Sequence, residues 1–155
     1  SQCKMNFQNY KELLISSLSQ TYKIDSFYLG EEYDIAGTFS KNDDGFEQKE
    51  ACLVSFCNDE NFVLSELQKL PEITLSGADG FSRNRSSVVL RVFVMQDVSF
   101  ELVKKIRSFN FSRAKKSQFW SYAESQVVLV DLKNRCAYSN LAGEEKRKLF
   151  KFTEN

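Results

Sequence analysis

The strongest pattern in the chain is an apolar run from Val88 to Met95, followed by an amphipathic segment from Ser99 to Phe109. A continuous, β-branched apolar run predicts a strand that is buried on both faces of a sheet. In the segment after it, Phe100, Val103 and Ile106 recur at a spacing of three, which predicts a helix. A strand followed by a helix is half of a βαβ unit, and we expect the other elements to pack onto it.

The residues at the N-terminal side of this unit predict one helix and one hairpin. Apolar positions at helical spacing predict a helix over residues 7–19, with Asn6 as its N-cap. The runs 22–29 and 33–39 predict two strands, and the short link between them predicts that they pair antiparallel. The polar stretch 40–45 predicts a solvated hairpin turn.

A second strand and helix are predicted before the central unit. Residues 50–56 predict a strand, and residues 60–70 predict a helix that begins after a cap at Asn58 or Asp59 and ends at Pro71. The glycine- and serine-rich segment 76–86 predicts a surface loop.

This strand–helix pair is weakly echoed by the central strand and helix, with Phe56 matching Phe93. Two successive strand–helix units predict a parallel pair of strands joined by a right-handed crossover.

The C-terminal residues predict a second hairpin and a short helix. Residues 124–132 predict a strand, residues 136–139 its antiparallel return, and residues 143–152 a last helix. Together these patterns predict a single α+β domain over residues 1–155. We expect a mixed sheet of about six strands, a central βαβ element, hairpins towards both ends of the chain, and three or four helices.

The composition agrees with one folded domain. A chain of 155 residues with 42% hydrophobic content and 14 phenylalanines can bury a core, which argues against intrinsic disorder. No apolar run approaches the roughly 18 residues that spanning a membrane requires. The N-terminal residues lack the apolar core of a signal peptide. The four cysteines are scattered without a CxxC motif, which favours reduced thiols. We therefore expect a cytoplasmic protein with no membrane partner, and its oligomeric state stays open.

The net charge is zero, but the charges are segregated along the chain. Residues 31–60 carry nine acids against two lysines, and residues 83–120 carry nine bases against two acids. This asymmetry favours electrostatic recognition of a charged partner. The alternative is that the two regions are neighbours in the fold and neutralise each other.

Two sets of candidate partner-binding residues follow from this asymmetry. The acidic candidates, which would meet a basic partner, are Glu31, Glu32, Asp43, Asp44 and Glu47. The basic and aromatic candidates, which would meet an acidic protein or a nucleic acid, are Lys104, Lys105, Arg107, Arg113, Lys115, Lys116 and Trp120. Cations beside aromatic rings suit single-stranded nucleic acid. The pI of about 6.3 and the absence of an RRM, KH or helix-turn-helix signature argue against it.

Candidates for catalysis are weak, because the chain has no histidine. Asp59 and Asp97 follow the two predicted βα strands, where carboxylates can hold Mg²⁺, but both also fit as helix caps. Asp131 and Lys133, with an upstream carboxylate, resemble the metal site of restriction-type nucleases. The upstream carboxylate would be Asp97 or Glu124, and solvated strand-end residues are the alternative interpretation. We assign no catalytic residue, no metal and no cofactor.

The preferred function is therefore a non-enzymatic intracellular protein-interaction module of the adaptor, inhibitor or immunity-protein kind, which recognises a charged partner. A nucleic-acid-binding domain that uses residues 104–120 is the alternative, and a metal-dependent nuclease is the third hypothesis.

Overall fold

A computed structural model describes residues 5–81, 83–116 and 119–152, and these residues form one mixed sheet with helices on both faces. The strands are β1 (Lys23–Tyr28), β2 (Glu31–Asp43), β3 (Phe46–Phe56), β4 (Arg85–Met95), β5 (Ser112–Lys116), β6 (Trp120–Asp131) and β7 (Cys136–Ser139). The helices are α1 (Phe7–Leu18), α2 (Glu60–Gly77), α3 (Phe100–Ser108) and α4 (Glu144–Arg147). Short 3₁₀ turns lie at Asp79–Phe81 and Leu141–Gly143.

The strand order confirms the predicted α+β architecture. The sheet runs β1-β2-β3-β4-β6-β5, and β7 pairs with the outer edge of β6 beside β5. β3 and β4 are parallel and α2 connects them, so the predicted βαβ element is present. The β1–β2 and β6–β7 pairs are the two predicted hairpins. The described residues add one strand to the six that were expected.

The two faces of the sheet carry two hydrophobic cores. The α2/α3 face packs Leu67 and Ile106 onto sheet residues such as Phe93. The opposite face, called here the α1 face, packs Leu14 of α1 onto sheet residues such as Val128. The central strands β3, β4 and β6 are buried on both faces, which is why the Val88–Met95 run is apolar except at Arg91.

The echo between Phe56 and Phe93 does not correspond to equivalent positions. Phe56 is paired with Val94, one residue beyond Phe93, because β3 and β4 run in continuous register. A shift of one residue turns a side chain to the other face of a sheet. Phe93 accordingly lies in the core of the α2/α3 face, whereas Phe56 packs against the α1 face.

The prediction that Pro71 ends its helix is wrong, because α2 continues through Pro71 to Gly77. A proline inside a helix removes one backbone hydrogen bond and costs about 3 kcal/mol. Packing of the last turns offsets this cost: Thr74 is fully buried and its hydroxyl lies 2.8 Å from that of Ser125 on β6. Gly77 makes room for the hydroxyl of Tyr28, which lies 2.6 Å from where a Cβ would stand.

The predicted polar turn 40–45 is also mostly strand. β2 and β3 remain paired as far as Asp43 and Phe46, so the turn itself consists only of Asp44 and Gly45. Both have positive φ, at 53° and 82°, which is the conformation of a type I′ hairpin turn. Residues 40–43 of this extension are exposed on both sides, so they carry no alternation of apolar and polar residues.

Four further elements differ from the predictions. β4 begins at Arg85, inside the predicted loop, and β6 begins at Trp120. β5 forms from residues 112–116, where no strand was expected, because it pairs with the extended start of β6. The last α-helix covers only Glu144–Arg147 of the predicted 143–152.

Candidate functional site

The five predicted acidic residues do not form one surface. Glu31 and Glu32 lie at the start of β2, whereas Asp43 and Asp44 lie at its far end. A strand rises about 3.3 Å per residue, so the two pairs are roughly 40 Å apart along β2.

Glu47, the fifth predicted acid, is held in an ion pair inside the fold. Its carboxylate accepts a hydrogen bond from Nε of Arg85, and the two side chains are only 18% and 6% exposed. Arg85 also donates to the carbonyl of Ala78 at the end of α2. Acidic and basic regions therefore neutralise each other at this pair, whereas the other four predicted acids form no ion pair with a described residue.

Glu31 and Glu32 line a groove of about 540 Å³ between the β1–β2 hairpin and α2 on the α2/α3 face. We call it the acidic groove. Its lining residues are Tyr28, Leu29, Glu31, Glu32 and Tyr33 on the hairpin side, and Glu66, Lys69, Glu72, Ile73 and Ser76 on α2. The α2 residues recur at three- to four-residue spacing and so form one stripe along the helix.

The floor of the acidic groove is the carboxylate of Glu66, which is held in place by a buried ion pair with Arg91. Nη2 of Arg91 donates to Glu66 and to the hydroxyl of Ser55, both at 2.8 Å. The guanidinium also lies over the rings of Tyr33 and Phe93, at 5.0 Å and 4.5 Å from their centroids. Arg91 is 1% exposed and the Glu66 side chain is 13% exposed, so the floor is fixed before any partner arrives.

The rim of the acidic groove keeps a negative excess. Glu66 pairs with Arg91 and with the exposed Lys69, at 2.8 Å and 3.3 Å. Within the described part of the chain, Glu31, Glu32 and Glu72 form no ion pair.

The carboxylates around the groove affect the pKa of Tyr33. Burial raises the pKa of its hydroxyl; Arg91 acts against this shift, and the carboxylates of Glu66 and Glu31 add to it.

The hairpin wall of the groove presents an apolar side chain to solvent. Leu29 and Gly30 form the turn between β1 and β2, with φ of 50° and 81°. Asparagine, aspartate or glycine is favoured at these positions, and a leucine with positive φ is strained. Leu29 is nevertheless 57% exposed beside the acidic rim, and Phe27 on the preceding edge strand β1 is 56% exposed.

The basic candidates are divided between α3 and the outer edge of the sheet. Lys104 and Arg107 each cover an aromatic ring, that of Phe100 at 4.7 Å and that of Tyr138 at 5.3 Å. Lys105 is exposed on the same helix. α3 packs on the α2/α3 face, on the other side of the sheet from the ring of Trp120.

The remaining basic candidates, Arg113, Lys115 and Lys116, are exposed on the edge strand β5. Arg113 lies 5.7 Å from the ring centroid of Phe111. Lys116 is the register partner of Trp120 on β6, so this part of the predicted basic and aromatic segment does come together.

The carboxylates Asp59 and Asp97, considered for a metal site, have different surroundings in the fold. Asp59 caps α2 by accepting from the backbone N–H of Asn61, and Ser99 rather than Asp97 caps α3. Asp97 instead lies 3.9 Å from Lys133, with both side chains well exposed.

The nuclease-like arrangement is not assembled either. Asp131 is 1% exposed and accepts two hydrogen bonds from Asn134, which holds the β6–β7 turn. Glu124 points to the opposite face of β6 from Asp131. On that face, the α1 face, its carboxylate accepts hydrogen bonds from Tyr122 and Gln126. The described residues contain no group of three or more candidate metal ligands.

The cysteines in the described part of the chain are free thiols, while Cys3 lies outside it. Burial raises the pKa of Cys52 to about 12 and that of Cys57 to about 11. A raised pKa keeps a thiol protonated, so neither is activated as a nucleophile at neutral pH.

Comparisons with known proteins give no identification, since the chain has no significant match among protein-family models, curated proteins or solved structures. Among the described residues, no helix is long and apolar enough to cross a membrane.

Proposed function

We propose that the chain is a non-enzymatic protein-interaction module that binds a basic, partly apolar segment of another protein in the acidic groove. The observation that carries this proposal is that Glu31, Glu32 and Glu72 line the same groove as the exposed Leu29. Unpaired carboxylates steer a cationic partner towards the groove, and the apolar wall supplies contact area once it has docked.

The fixed floor supports the same proposal. Arg91 and Glu66 are held by buried hydrogen bonds, so the α2 wall does not need to be ordered on binding. Preorganisation of this kind reduces the entropic cost of association. The free thiols of the described cysteines support a reducing compartment, and we include a cytoplasmic location in the proposal.

Selection from a random peptide library displayed on phage tests the proposal without a known partner. We expect the selected peptides to combine lysine or arginine with apolar residues. Reversing the charges in Glu31→Lys/Glu32→Lys should abolish their binding. The matched control is Asp43→Lys/Asp44→Lys, which reverses two acids at the other end of β2 and should leave binding unchanged.

Two outcomes would contradict the proposal. One is the selection of acidic peptides. The other is equal loss of binding in both charge-reversal variants, which would indicate a long-range charge effect instead of a site in the groove.

A further inference from the structure

Three aromatic rings lie together at one end of the α1 face, outside the hydrophobic core that α1 covers. The ring of Trp120 lies 5.3 Å from that of Phe46 and 6.3 Å from that of Tyr122, with an interplanar angle of 18° to the latter. Trp120 is 40% exposed. Tyr122 shares the strand parity of Val128, which places its ring on the α1 face together with that of Trp120.

The backbone holds this aromatic cluster in a fixed arrangement. The N–H of Trp120 donates to the side-chain oxygen of Asn84 at 2.8 Å, and the N–H of Glu47 donates to the Asn84 carbonyl at 3.0 Å. Asn84 therefore ties the start of β3, which carries Phe46, to the start of β6. Rings that are prepositioned in this way lose little entropy when they bind a flat partner.

One cation, Lys116, lies directly beside the rings, and two more lie on the same edge strand. Lys116 is opposite Trp120 in the antiparallel β5–β6 pair and has the same orientation, whereas Lys115 and Arg113 point to the other side of the edge strand. None of these three cations forms an ion pair with a described residue. Asp43 is the register partner of Phe46, so the far side of the cluster is acidic and the cationic side is that of β5.

We infer that this surface binds single-stranded nucleic acid, with bases stacked on Trp120 and its neighbouring rings and phosphates along β5. Exposed rings stack on bases of any sequence, and lysines beside them neutralise the backbone. The site is at the opposite end of β2 from the acidic groove and on the opposite face of the sheet, so it is independent of the proposed peptide site.

Trp120 is the only tryptophan in the chain, so its fluorescence reports directly on the site. Titration with a short oligothymidine at low salt should quench it in a saturable manner, and added salt should reverse the quenching. A duplex of the same length should quench less, because its bases are already stacked.

Two charge-reversal variants, compared by the anisotropy of a labelled oligothymidine, locate the site. Lys115→Glu/Lys116→Glu should weaken binding about tenfold or more at low salt and flatten its salt dependence. Lys104→Glu/Lys105→Glu should change binding by less than about twofold, since these lysines lie on α3 and not on the edge strand beside Trp120.

A third variant, Trp120→Ala, measured in the same assay, should weaken binding about fivefold or more through lost stacking. Phe100→Ala removes a 67%-exposed ring elsewhere and is its control. The inference is overturned if oligothymidine does not quench Trp120, if the two lysine variants behave alike, or if a polyproline peptide quenches and oligothymidine does not.

Discussion

The carboxylate of Glu66 on α2 and the guanidinium of Arg91 on β4 form a buried ion pair with an N–O distance of 2.8 Å. This pair joins the helix to the centre of the sheet beneath the acidic groove. Arg91 is further bound by the carbonyl of Leu53 at 3.0 Å and by Ser55.

Removing Arg91 should be strongly destabilising, because the largely buried carboxylate of Glu66 then keeps only the exposed Lys69 as its partner. We expect Arg91→Met to lower the free energy of unfolding by about 3–5 kcal/mol, measured by urea denaturation. Lys69→Ala, which removes the 64%-exposed second partner of Glu66, should cost less than about 1 kcal/mol. Equal losses in both variants would contradict a structural role for the buried pair.

Leu29 should show a conflict between stability and binding. Leu29→Asn relieves a positive φ and should stabilise the fold by about 0.5–1 kcal/mol. It also removes the exposed apolar contact from the groove wall and should weaken peptide binding. Thermal unfolding and peptide binding, measured on one preparation, check both effects. Asp44→Asn makes the equivalent change in the β2–β3 turn and should leave binding unaltered.

Asn140 satisfies four backbone groups at once. Its oxygen accepts from the N–H groups of Val127 and Gly143, both at 2.9 Å, and its amide nitrogen donates to the carbonyls of Phe109 and Ser125, both at 3.2 Å. Asn140→Ala should cost about 3 kcal/mol or more, because several of these groups are left buried and unpaired.

Asn58→Ala, in an exposed pair with Gln96, is the control for Asn140→Ala and should cost less than about 1 kcal/mol. Chemical denaturation measures both variants. A small loss at Asn140 would mean that water replaces its hydrogen bonds.

Cys52 should make stability fall at alkaline pH. Burial holds its pKa at about 12 in the folded protein, whereas the unfolded thiol has a value of 9.0. The unfolded state therefore loses its proton first, so the stabilisation is complete below about pH 9 and is lost between about pH 9 and 12.

We expect Cys52→Ala to lower the slope of unfolding free energy against pH in this window by up to about 1.4 kcal/mol per pH unit. Tyr10 and Tyr22, whose pKa values burial also raises, should keep part of the slope. Equal slopes in wild type and variant, measured by denaturation at several pH values, would contradict this assignment.

The sequence was informative wherever burial imposes a pattern. The Val88–Met95 run and the stripe of α3 led directly to the βαβ core, because burial on both faces or on one helix face repeats at a fixed period. The site was harder to predict. Because Pro71 was expected to end α2, Glu72 was not recognised as lying on the same stripe of the helix as Glu66. The helix continues past Pro71 because of tertiary packing, which the local sequence does not reveal.

The aromatic cluster shows a second reason why a site cannot be predicted from local sequence. Phe46 lies in a polar stretch and is distant in sequence from Trp120, and only the register of β3, β4 and β6 brings the two rings together. Cross-strand neighbours have no fixed sequence spacing, so no local pattern reveals them.

The most direct test of the acidic groove is NMR chemical-shift mapping on ¹⁵N-labelled protein. The probe is an amphipathic lysine/leucine peptide, and a glutamate/leucine peptide of equal length is the control. We expect only the lysine peptide to shift amide signals, and to do so in residues 28–33 and 66–76, which form the two walls of the groove. Shifts confined to residues 43–47, shifts with the glutamate peptide, or no shifts with either would contradict the proposed peptide site.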